Sequence, residues 1–534
     1  MCGRVCKRMK EQWGLVNMEY ITKTDFVEGM NCPTYLLLKK NKPELMKATE
    51  MDTSAKEGIE VGLVAANLFE DIIKIPFTCS KEEKVERTAA AMNEEKRTTI
   101  AEATFVSANL YCQVDYLSSF EEGFSINEVK ALTSIRKKNK NACLEDRIIR
   151  DLGFQYYVLR QAGVDVRKVN CIYLNENYVR GGSIKHNELF IMDDVTDEII
   201  KYVEEQIEDD IRSLERFISN SNTKDLRSTK CAKCKSFSEY CLRDLPTPNV
   251  FDLNGTFCRK RDVFYKEGDI TFEKLMKRKD LNTNTRQEIE AEILQREYVD
   301  KKSISEFLEG IRLPVYFLDF ETYQNAIPEV EGQWPYEQVP FQYSLDIVED
   351  SNMELIHKEF LAEENGDPRR MMAEKLVNDI PKGVCVIAYN ISFEKGRLEE
   401  LAELYPDLKE HLLNIAENLI DLEIPFKKRW YYKREMKGKS SIKKVLPALF
   451  PNDPNLNYAN LPGVQNGQQA KEMFLKLRDM SDEERLEQRS YMLQYCALDT
   501  FAMVKVWEAL LQAVDDPIHG AVSALTKKYE EKMF

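Results

Sequence analysis

Two carboxylates near the middle of the chain have the spacing of metal ligands. Asp319 and Glu321 lie two residues apart in the apolar run Tyr316-Phe-Leu-Asp-Phe-Glu-Thr, which has the composition of a short β-strand. Side chains two residues apart on a strand leave the same face of the sheet. Mg²⁺ and Mn²⁺ prefer carboxylate oxygens and water as ligands, so the pair predicts a site for either ion. Solvated strand edges also carry such pairs, and a functional assignment needs further residues.

Two later segments supply further residues. An Asn-x-x-Phe-Glu run ends at Glu394 after an apolar strand, and Tyr495 and Asp499 lie four residues apart on one face of a predicted helix. In order and spacing these segments resemble the three motifs of DEDD-type 3′→5′ exonucleases. The tyrosine resembles the DEDDy branch, and the resemblance implies an RNase H-like fold. The second motif of that superfamily usually ends in Asp; Asp421 could compensate for Glu394, or could cap a helix start.

The resemblance also implies roles for these side chains in two-metal phosphodiester hydrolysis. Asp319, Glu321 and Asp499 would hold the metal that generates the attacking hydroxide. Asp319 would bridge to a second metal, with Glu394 acting directly or through water. Tyr495 would orient the nucleophilic water, because a phenol is a poor base at neutral pH.

A basic segment lies between the second and third motifs. Residues 427–444 carry nine basic side chains and one acid, Glu435, in a chain whose net charge is −15. Phosphate neutralisation combined with aromatic stacking is what binding of single-stranded nucleic acid requires. The alternative is a solvated loop with a packed tryptophan. The predicted nucleic-acid-binding residues are Lys427, Lys428, Arg429, Trp430, Lys433 and Arg434.

Three cysteines in the N-terminal half have metal-ligand spacing. Cys231, Cys234 and Cys241 are one thiolate short of a tetrahedral zinc site or a cubane cluster, and Cys32 is the predicted fourth ligand. The arrangement resembles the iron–sulfur-stapled RecB-like nucleases, among them the Cas-four and AddB-type proteins. It implies a 4Fe-4S cluster, with Zn²⁺ as the alternative. Three other cysteines could replace Cys32: Cys2, Cys6 and Cys258.

The segment between these cysteines fits the PD-(D/E)xK nuclease pattern. Asp115 ends one predicted strand, and Glu128 and Lys130 share a face of the next. Asp115 and Glu128 would bind Mg²⁺, while Lys130 would position water and stabilise charge on the phosphate.

Two departures from the RecB-like pattern weaken the nuclease assignment. No histidine precedes position 186, so Glu102, or less favourably Glu60, is predicted to replace the usual histidine ligand. The family's Gln-x-x-x-Tyr motif is represented by Gln155 with Leu159 at the tyrosine position. A DNA-binding module without activity is therefore the alternative for this half.

The predicted elements organise these motifs into two halves of an α/β protein. Helices dominate 18–75, and a second domain opens at the strand before Asp319, followed by strands alternating with helices. The predicted strands of the two halves are 98–106, 110–117, 124–130, 168–174, 314–319, 341–348 and 384–389. The predicted helices include 146–162 and the acidic 194–219. The predicted domains are a RecB/Cas-four-like PD-(D/E)xK domain at 1–265, a helical linker at 266–310 and an RNase H-like DEDDy domain at 311–534.

The sequence as a whole predicts a cytoplasmic, metal-dependent nuclease. No apolar stretch is long enough for a membrane span, and the first residues lack the apolar core of a signal peptide. The pairing of halves resembles an uncharacterised bacterial family described as a domain of unknown function. The expected partner is nucleic acid, as single-stranded or 3′-ended DNA. The alternatives are a single exonuclease, with RNA as a possible substrate, beside an inactive module, or a non-catalytic nucleic-acid-binding scaffold.

Overall fold

The described residues form two compact units. The computed structural model describes residues 20–45, 53–94, 98–138, 142–219, 227, 231, 238–254, 260–349 and 354–533. The first unit draws on residues within 1–227, 234–241 and 325–337, and the second on residues within 228–233, 242–324 and 338–534. The segment predicted as a linker, 266–310, lies in the second unit. Residues 325–337, from the predicted C-terminal domain, lie in the first.

The first unit contains a seven-stranded sheet flanked by helices. Its strands are β1 (Ile21–Thr22), β2 (Ile72–Lys74), β3 (Thr99–Ser107), β4 (Leu110–Phe120), β5 (Gly123–Lys130), β6 (Val166–Leu174) and β7 (Phe190–Asp194). Its helices are α1 (Lys23–Asn31), α2 (Pro33–Asn41), α3 (Thr53–Ala65), α4 (Lys81–Ala91), α5 (Asp146–Gln161), α6 (His186–Leu189), α7 (Thr196–Glu205) and α8 (Ile207–Ser219). Helix α9 (Ser238–Leu242) ends where the chain enters the second unit.

Pairing in this sheet follows the order β2-β3-β4-β5-β6-β7, with β1 parallel to β4. The antiparallel meander β3-β4-β5 is rich in β-branched and aromatic residues, which favour strands. Helix α5 packs its apolar face on the sheet, and Phe154 stacks on Phe26 of α1 with ring centroids 5.0 Å apart. The predicted strands of this half are confirmed. The predicted acidic helix is two helices, because the backbone of Gln206 leaves the helical region between α7 and α8.

The second unit contains a five-stranded sheet and a two-stranded ribbon. Its strands are β8 (Tyr298–Val299), β9 (Val315–Tyr323), β10 (Val339–Val348), β11 (Leu355–Leu361), β12 (Cys385–Ala388), β13 (Leu419–Asp421) and β14 (Tyr431–Tyr432). Its helices are α10 (Arg261–Lys266), α11 (Phe272–Met276), α12 (Thr283–Leu294), α13 (Lys301–Leu308), α14 (Arg369–Asp379), α15 (Ser392–Leu404), α16 (Lys409–Glu417), α17 (Ile424–Lys427), α18 (Ile442–Leu449), α19 (Gly467–Lys476), α20 (Asp482–Ala513) and α21 (His519–Met533).

The five-stranded sheet has the order β11-β10-β9-β12-β13 and is covered on both faces. Strands β9, β10 and β11 are antiparallel, whereas β12 and β13 run parallel to β9. One face packs against α20, and the other packs against α14, α15 and α16. A separate small core forms under α10, α11 and α12 from residues such as Phe264 and Leu275. The prediction of a mixed α/β protein is confirmed.

Candidate functional site

Strand β9 determines where the first two carboxylates point. Val315 and Phe317 lie in the core beneath α20, whereas their neighbour Leu318 lies in the core on the opposite face. Because side chains alternate along a strand, Asp319 and Glu321 continue the row that faces α20. The apolar residues at the start of the strand therefore fix the direction of the carboxylates at its end.

Helix α20 brings the third motif to the same place. It has 32 residues and begins with a capping box in which Ser481 and Glu484 satisfy each other's backbone N–H groups. Further along, the Trp507 ring packs 5.8 Å from the Phe317 ring and anchors the helix to β9. Asp499, two helical turns before Trp507, thus faces the end of β9.

The three carboxylates meet in one cluster. Ligand oxygens of Asp319, Glu321 and Asp499 all lie within 4.8 Å of one another, in the only such group of three or more found in the described part of the chain. The side-chain hydroxyl of Tyr458 donates to Asp499 Oδ1 at 2.6 Å. The Cys496 thiol lies 3.8 Å from Asp319 Oδ2. This arrangement can supply several oxygen ligands to one divalent cation.

The cluster has strongly perturbed acid groups. Burial, followed by repulsion from Asp499 and Glu321, raises the pKa of Asp319 well above its ordinary value. Burial likewise raises the pKa of Glu321 to about 8 and also raises the pKa of Asp499. Within the described ranges, no lysine, arginine or histidine nitrogen lies within 4.0 Å of these carboxylates. Lys443 lies farther away, and its charge partly opposes the rise in the pKa of Glu321 and Asp499, so none of the three carboxylates has a direct ion pair with a protein cation.

Glu394 lies beside this cluster, at the N-terminal turn of α15. It is buried, its Oε2 has no hydrogen-bond partner among the described residues, and burial raises its pKa to about 7. Its charge also raises the pKa of Asp319. The preceding Asn390 adopts a left-handed conformation (φ 66°), held by a 2.8 Å bond from its N–H to Asp421 Oδ1. Asp421 also accepts the Glu423 N–H at 3.0 Å, so it organises the loop backbone.

Two residues that the sequence analysis did not single out complete this site. Lys443 Nζ donates to the Tyr495 hydroxyl at 2.9 Å and lies 5.1 Å from the centre of its ring. Tyr458, in the loop before α19, contacts the same ammonium group at 5.0 Å and bonds Asp499. Lys443 belongs to the basic segment noticed in the sequence, which is the one signal that could have found it. Tyr458 carried no sequence signal.

The site opens into a cavity of about 300 Å³. Its lining combines Asp319 and Asp499 with Glu423, Asn390 and Lys443. A second cavity of about 500 Å³ also includes Lys443 in its lining, together with the proline-rich loop before Tyr458. Lys443 therefore lines both cavities.

The first unit holds a different carboxylate cluster around the predicted PD-(D/E)xK residues. Lys130 Nζ lies 2.8 Å from Glu128 Oε1 and 2.7 Å from Asp151 Oδ2. A second lysine, Lys23, lies 2.6 Å from Glu128 Oε1 and 3.5 Å from Asp151 Oδ1. Although burial opposes the effect, the two lysines hold the pKa of Asp151 below its ordinary value. Lys23 and Asp151 were missed because neither belongs to the motif.

Three of the other residues predicted for this site lie at the Glu128–Asp151 cluster, and one lies away from it. Asp115 Oδ2 accepts the Val129 N–H at 2.8 Å, and burial raises its pKa to about 7. Gln155 donates to Asp151 Oδ1 at 2.9 Å. Glu102 lies within electrostatic reach of Lys23 and Glu128. The groups that act on Glu60 are Glu329 and Glu57, so Glu60 lies outside the cluster.

The predicted nucleic-acid-binding residues are largely engaged with acidic partners. Lys427 lies 3.1 Å from Glu423, and Lys433 lies 3.5 Å from Glu297. Arg434 pairs with Glu435 at 2.9 Å and also bonds Gln295. Arg429 has a buried side chain beside Glu288, Lys428 is exposed, and Trp430 packs partly against the core. Nucleic-acid binding by this segment stays a prediction.

The predicted cysteine cluster is described only in part. Cys32 is half-buried and occupies the N-cap of α2, and the carbonyl of Cys241 accepts from Arg227 Nε at 2.8 Å. Cys231 is half-buried, while Cys234 lies outside the described residues. The cluster stays a prediction.

Comparisons with known proteins find a family model that matches part of the chain. Residues 316–441 match the family described as Domain of unknown function (DUF2779). This range contains Asp319, Glu321 and Glu394 and ends before Tyr495 and Asp499. No helix in the described ranges is both long and apolar enough to cross a membrane.

Two curated relatives align with less than half of the chain. The "Uncharacterized protein UU173" of Ureaplasma parvum serovar 3 is 31% identical over 225 residues, which cover 38% of this chain and 32% of that protein. The "Uncharacterized protein MG366 homolog" of Mycoplasma pneumoniae is 31% identical over 212 residues, which cover 36% and 31%. The chain thus spans about a third of the length of these relatives. It is similar to a family of uncharacterised bacterial proteins.

Proposed function

We propose that the second unit is a metal-dependent 3′→5′ exonuclease that hydrolyses phosphodiester bonds in nucleic acid. The observation that carries the proposal is the cluster of Asp319, Glu321 and Asp499, whose ligand oxygens lie within 4.8 Å of one another and form no ion pair within 4.0 Å among the described residues. Structural carboxylates that are buried are normally paired with a cation. A cluster without such a partner is a functional-site candidate.

The surrounding fold supports the exonuclease assignment over a simple metal-binding role. A sheet of order β11-β10-β9-β12-β13, covered by helices on both faces, is compatible with an RNase H-like domain. The order of the motifs along the chain matches the DEDDy pattern, apart from Glu394. A glutamate carries the same charge on a longer stem, so it can serve from α15 if the stem is accommodated.

The residues present suit a hard divalent cation. Asp319, Glu321 and Asp499 would hold Mg²⁺ or Mn²⁺, with the unpartnered Oε2 of Glu394 as a further oxygen. When bound, such ions activate water and neutralise charge that develops on the phosphate. In the reaction, water attacks phosphorus and the bond to the 3′ oxygen of the preceding nucleotide breaks. The products are a nucleoside 5′-monophosphate and a strand with a new 3′ hydroxyl.

Tyr495 and Lys443 would act as a positioning pair. Burial and the neighbouring carboxylates raise the pKa of Tyr495 far above neutrality, so the phenol stays protonated and cannot remove a proton from water. Because Lys443 donates to the phenol oxygen, the phenolic proton is directed away from Lys443; it bonds Asp499 in this structure and would bond the incoming water or a phosphate oxygen in the complex. The ammonium group also places positive charge beside the cavity, where an anionic substrate would lie.

The first unit has a separate proposed role. Its fold is assigned as PD-(D/E)xK-like by its resemblance, and its cluster contains Glu128, Lys130 and Asp115 as that pattern requires. Lys23, which is not part of that pattern, also lies against Glu128 and Asp151, and this second ammonium group favours a module that binds nucleic acid without cleaving it. A second nuclease activity is the alternative, in which Lys130 would be essential. A 4Fe-4S cluster would give visible absorbance that Cys234→Ala removes, and Zn²⁺ would not.

A parallel assay on DNA and RNA tests the proposed function. A single strand labelled at its 5′ end is incubated with the full chain and Mn²⁺ or Mg²⁺, and stepwise 3′ shortening is expected. Asp319→Asn should abolish shortening, while Asp407→Asn, an exposed carboxylate paired with Arg370, should leave it unchanged. Shortening that persists in Asp319→Asn but disappears in Lys130→Ala would assign the activity to the first unit. Absence of cleavage with either metal and either substrate would favour the scaffold.

A further inference from the structure

A small polar cavity lies in the second unit next to the catalytic one. Its volume is about 180 Å³, and its lining includes the N-terminal residues of α12 together with parts of the 426–440 segment. Three of the lining side chains are cationic, and none is a carboxylate: Lys427, Arg429 and Lys439. In a chain of net charge −15, this composition favours an anionic ligand.

Arg429 is the buried cation of this cavity. Its side chain is 8% exposed, and its guanidinium lies 4.1 Å from the centre of the Tyr432 ring. One terminal nitrogen, Nη2, donates to the Gly438 carbonyl at 2.9 Å and lies 3.5 Å from Glu288 Oε2. The other, Nη1, is buried without a hydrogen-bond partner among the described residues. A buried guanidinium nitrogen without an acceptor is costly, and an anion in the cavity would supply the acceptor.

Helix α12 adds a second source of positive potential. It has 12 residues, and the side chain of Asn282 caps it by accepting the Thr285 N–H at 2.8 Å. The preceding N–H groups of the first turn have no partner within a helix, and the helix dipole places partial positive charge at this end. Asn282, Asn284 and Thr285 all line the cavity. Helix N-termini of this kind bind phosphate groups.

The loop that forms the opposite wall is held in a defined conformation. Gly438 has a left-handed backbone (φ 71°), and a Cβ atom at this position would collide with the Glu288 carboxylate. Asn254 donates through Nδ2 to the Lys437 carbonyl at 2.6 Å and through its N–H to Glu288 at 3.3 Å. Glu288 thus accepts a hydrogen bond from Asn254, and its Oε2, which has no hydrogen-bond partner among the described residues, lies 3.5 Å from Nη2 of Arg429. The wall of the cavity is therefore defined by specific contacts within the unit.

The position of the cavity relates it to the catalytic site. Ser440 lines the small cavity, whereas the next residue, Ser441, lines the catalytic cavity together with Lys443. Ser440 is fixed between them, since its hydroxyl donates to Glu423 at 2.7 Å and its carbonyl accepts from the Tyr389 hydroxyl. We propose that the small cavity binds a backbone phosphate of the nucleic acid strand at a distance from the bond that is cleaved. The proposal rests on the exonuclease function and names a subsite of the same unit.

Binding of a fluorescein-labelled, 12-nucleotide single-stranded DNA, followed by anisotropy in EDTA, tests the subsite. Arg429→Met should weaken binding about tenfold and reduce the salt slope by about 0.7, as expected for the loss of one phosphate contact. Lys439→Gln, at an exposed position that folding tolerates, should weaken binding about threefold. Arg296→Met is the matched control, because this exposed arginine lies outside the lining.

A competition experiment distinguishes binding of a nucleic acid backbone phosphate from binding of free inorganic phosphate. Inorganic phosphate that replaces chloride at constant ionic strength should displace the DNA from the wild-type chain and not from Arg429→Met. If phosphate changes the fluorescence of the neighbouring Trp430 while both variants bind DNA as the wild type does, the cavity takes free phosphate and the strand subsite is wrong. If both variants bind DNA as the wild type does, and phosphate neither displaces the DNA nor changes the fluorescence of Trp430, the cavity is not an anion site. Because EDTA prevents turnover, a failure of the exonuclease assay leaves this measurement interpretable.

Discussion

The two units each bury a cluster of carboxylates, but they balance the charge differently. In the first unit, Glu128 and Asp151 share the ammonium groups of Lys23 and Lys130 at distances between 2.6 and 3.5 Å. In the second unit, Asp319, Glu321 and Asp499 have no basic nitrogen within 4.0 Å among the described residues. Burial raises the pKa values of the second cluster and that of Asp115 in the first, whereas the two lysines lower the pKa of Asp151.

The difference indicates which cluster requires an external cation. An ion pair formed within the chain satisfies a buried carboxylate in the absence of any ligand. A cluster without such a pair must take up protons or a metal at neutral pH. We therefore expect the second unit to respond to Mg²⁺ or Mn²⁺ in activity and stability, and the first unit to respond to loss of its lysines.

The largest expected effect is on catalysis in the second cluster. Asp499→Asn should lower the turnover number about a thousandfold, about 4 kcal/mol at the transition state, because it removes one ligand oxygen charge. Its melting temperature without metal should not fall, since the change relieves repulsion from Asp319. Measured rates of 3′ shortening, with Asp407→Asn as the control, check this. A variant that retains most of its activity would contradict the assigned ligand set.

The next effect concerns stability in the first cluster. Lys23→Met should lower the free energy of unfolding by about 3 kcal/mol, because Glu128 and Asp151 lose one of their two cations in a buried site. Urea unfolding, with hydrogen exchange to localise the effect, measures the change. Lys39→Met is the control, because Lys39 pairs with Asp25 while itself being 43% exposed, and its loss should cost less than about 1 kcal/mol.

The same substitution sharpens the comparison of the two clusters. In Lys23→Met, Mg²⁺ or Mn²⁺ should begin to stabilise the first unit, because Glu128 and Asp151 then keep only Lys130 as a counter-ion. If metal stabilises the first unit equally in the wild-type chain, the lysines do not replace a metal and the contrast fails.

The pH dependence of stability offers a third test. The pKa of Glu321 is raised to about 8, against an ordinary value of about 4.3. Between these values the folded chain holds a proton that the unfolded chain has released, so stability falls as the pH rises through this window. Glu321→Gln removes the dependence. Without metal, the stability of this variant relative to wild type should therefore increase by on the order of 3 to 4 kcal/mol from about pH 5 to about pH 8.

The measurement is urea unfolding in EDTA at both pH values. A variant whose stability runs parallel to that of the wild type would show that Glu321 is ionised in the folded chain. Saturating Mn²⁺ should remove most of the wild-type loss at the higher pH, because metal binding displaces the proton.

The smallest expected effect comes from a hydrogen bond to the second cluster. Tyr458→Phe removes the donor that lies 2.6 Å from Asp499 Oδ1 and should lower the turnover number about fivefold, about 1 kcal/mol. The substrate concentration at half-maximal rate should change little. Tyr491→Phe is the control, since this hydroxyl bonds exposed Glu487 on the same helix. If both variants lower the turnover number equally, the hydroxyl of Tyr458 has no specific role in catalysis.

Local patterns made part of the second site predictable. The short apolar run from Val315 to Leu318 predicted a strand and, through it, a shared face for Asp319 and Glu321. The four-residue spacing of Tyr495 and Asp499 predicted a shared helix face. Both arrangements depend on backbone geometry within a few residues, and the observed elements β9 and α20 have these faces.

Long-range contacts decided the remainder. Nothing near Lys23 in the sequence indicates that it lies 2.6 Å from Glu128, 105 residues away, and Lys443 meets Tyr495 across 52 residues. The basic segment likewise predicted exposed positive charge, whereas packing buried Arg429 and paired its neighbours with acids. The sequence determined that Asp319 and Glu321 share a strand face and that Tyr495 and Asp499 share a helix face, because these relations depend on backbone periodicity over a few residues. The tertiary structure decided which of the carboxylates have a counter-charge, because that depends on chain segments brought together only by folding.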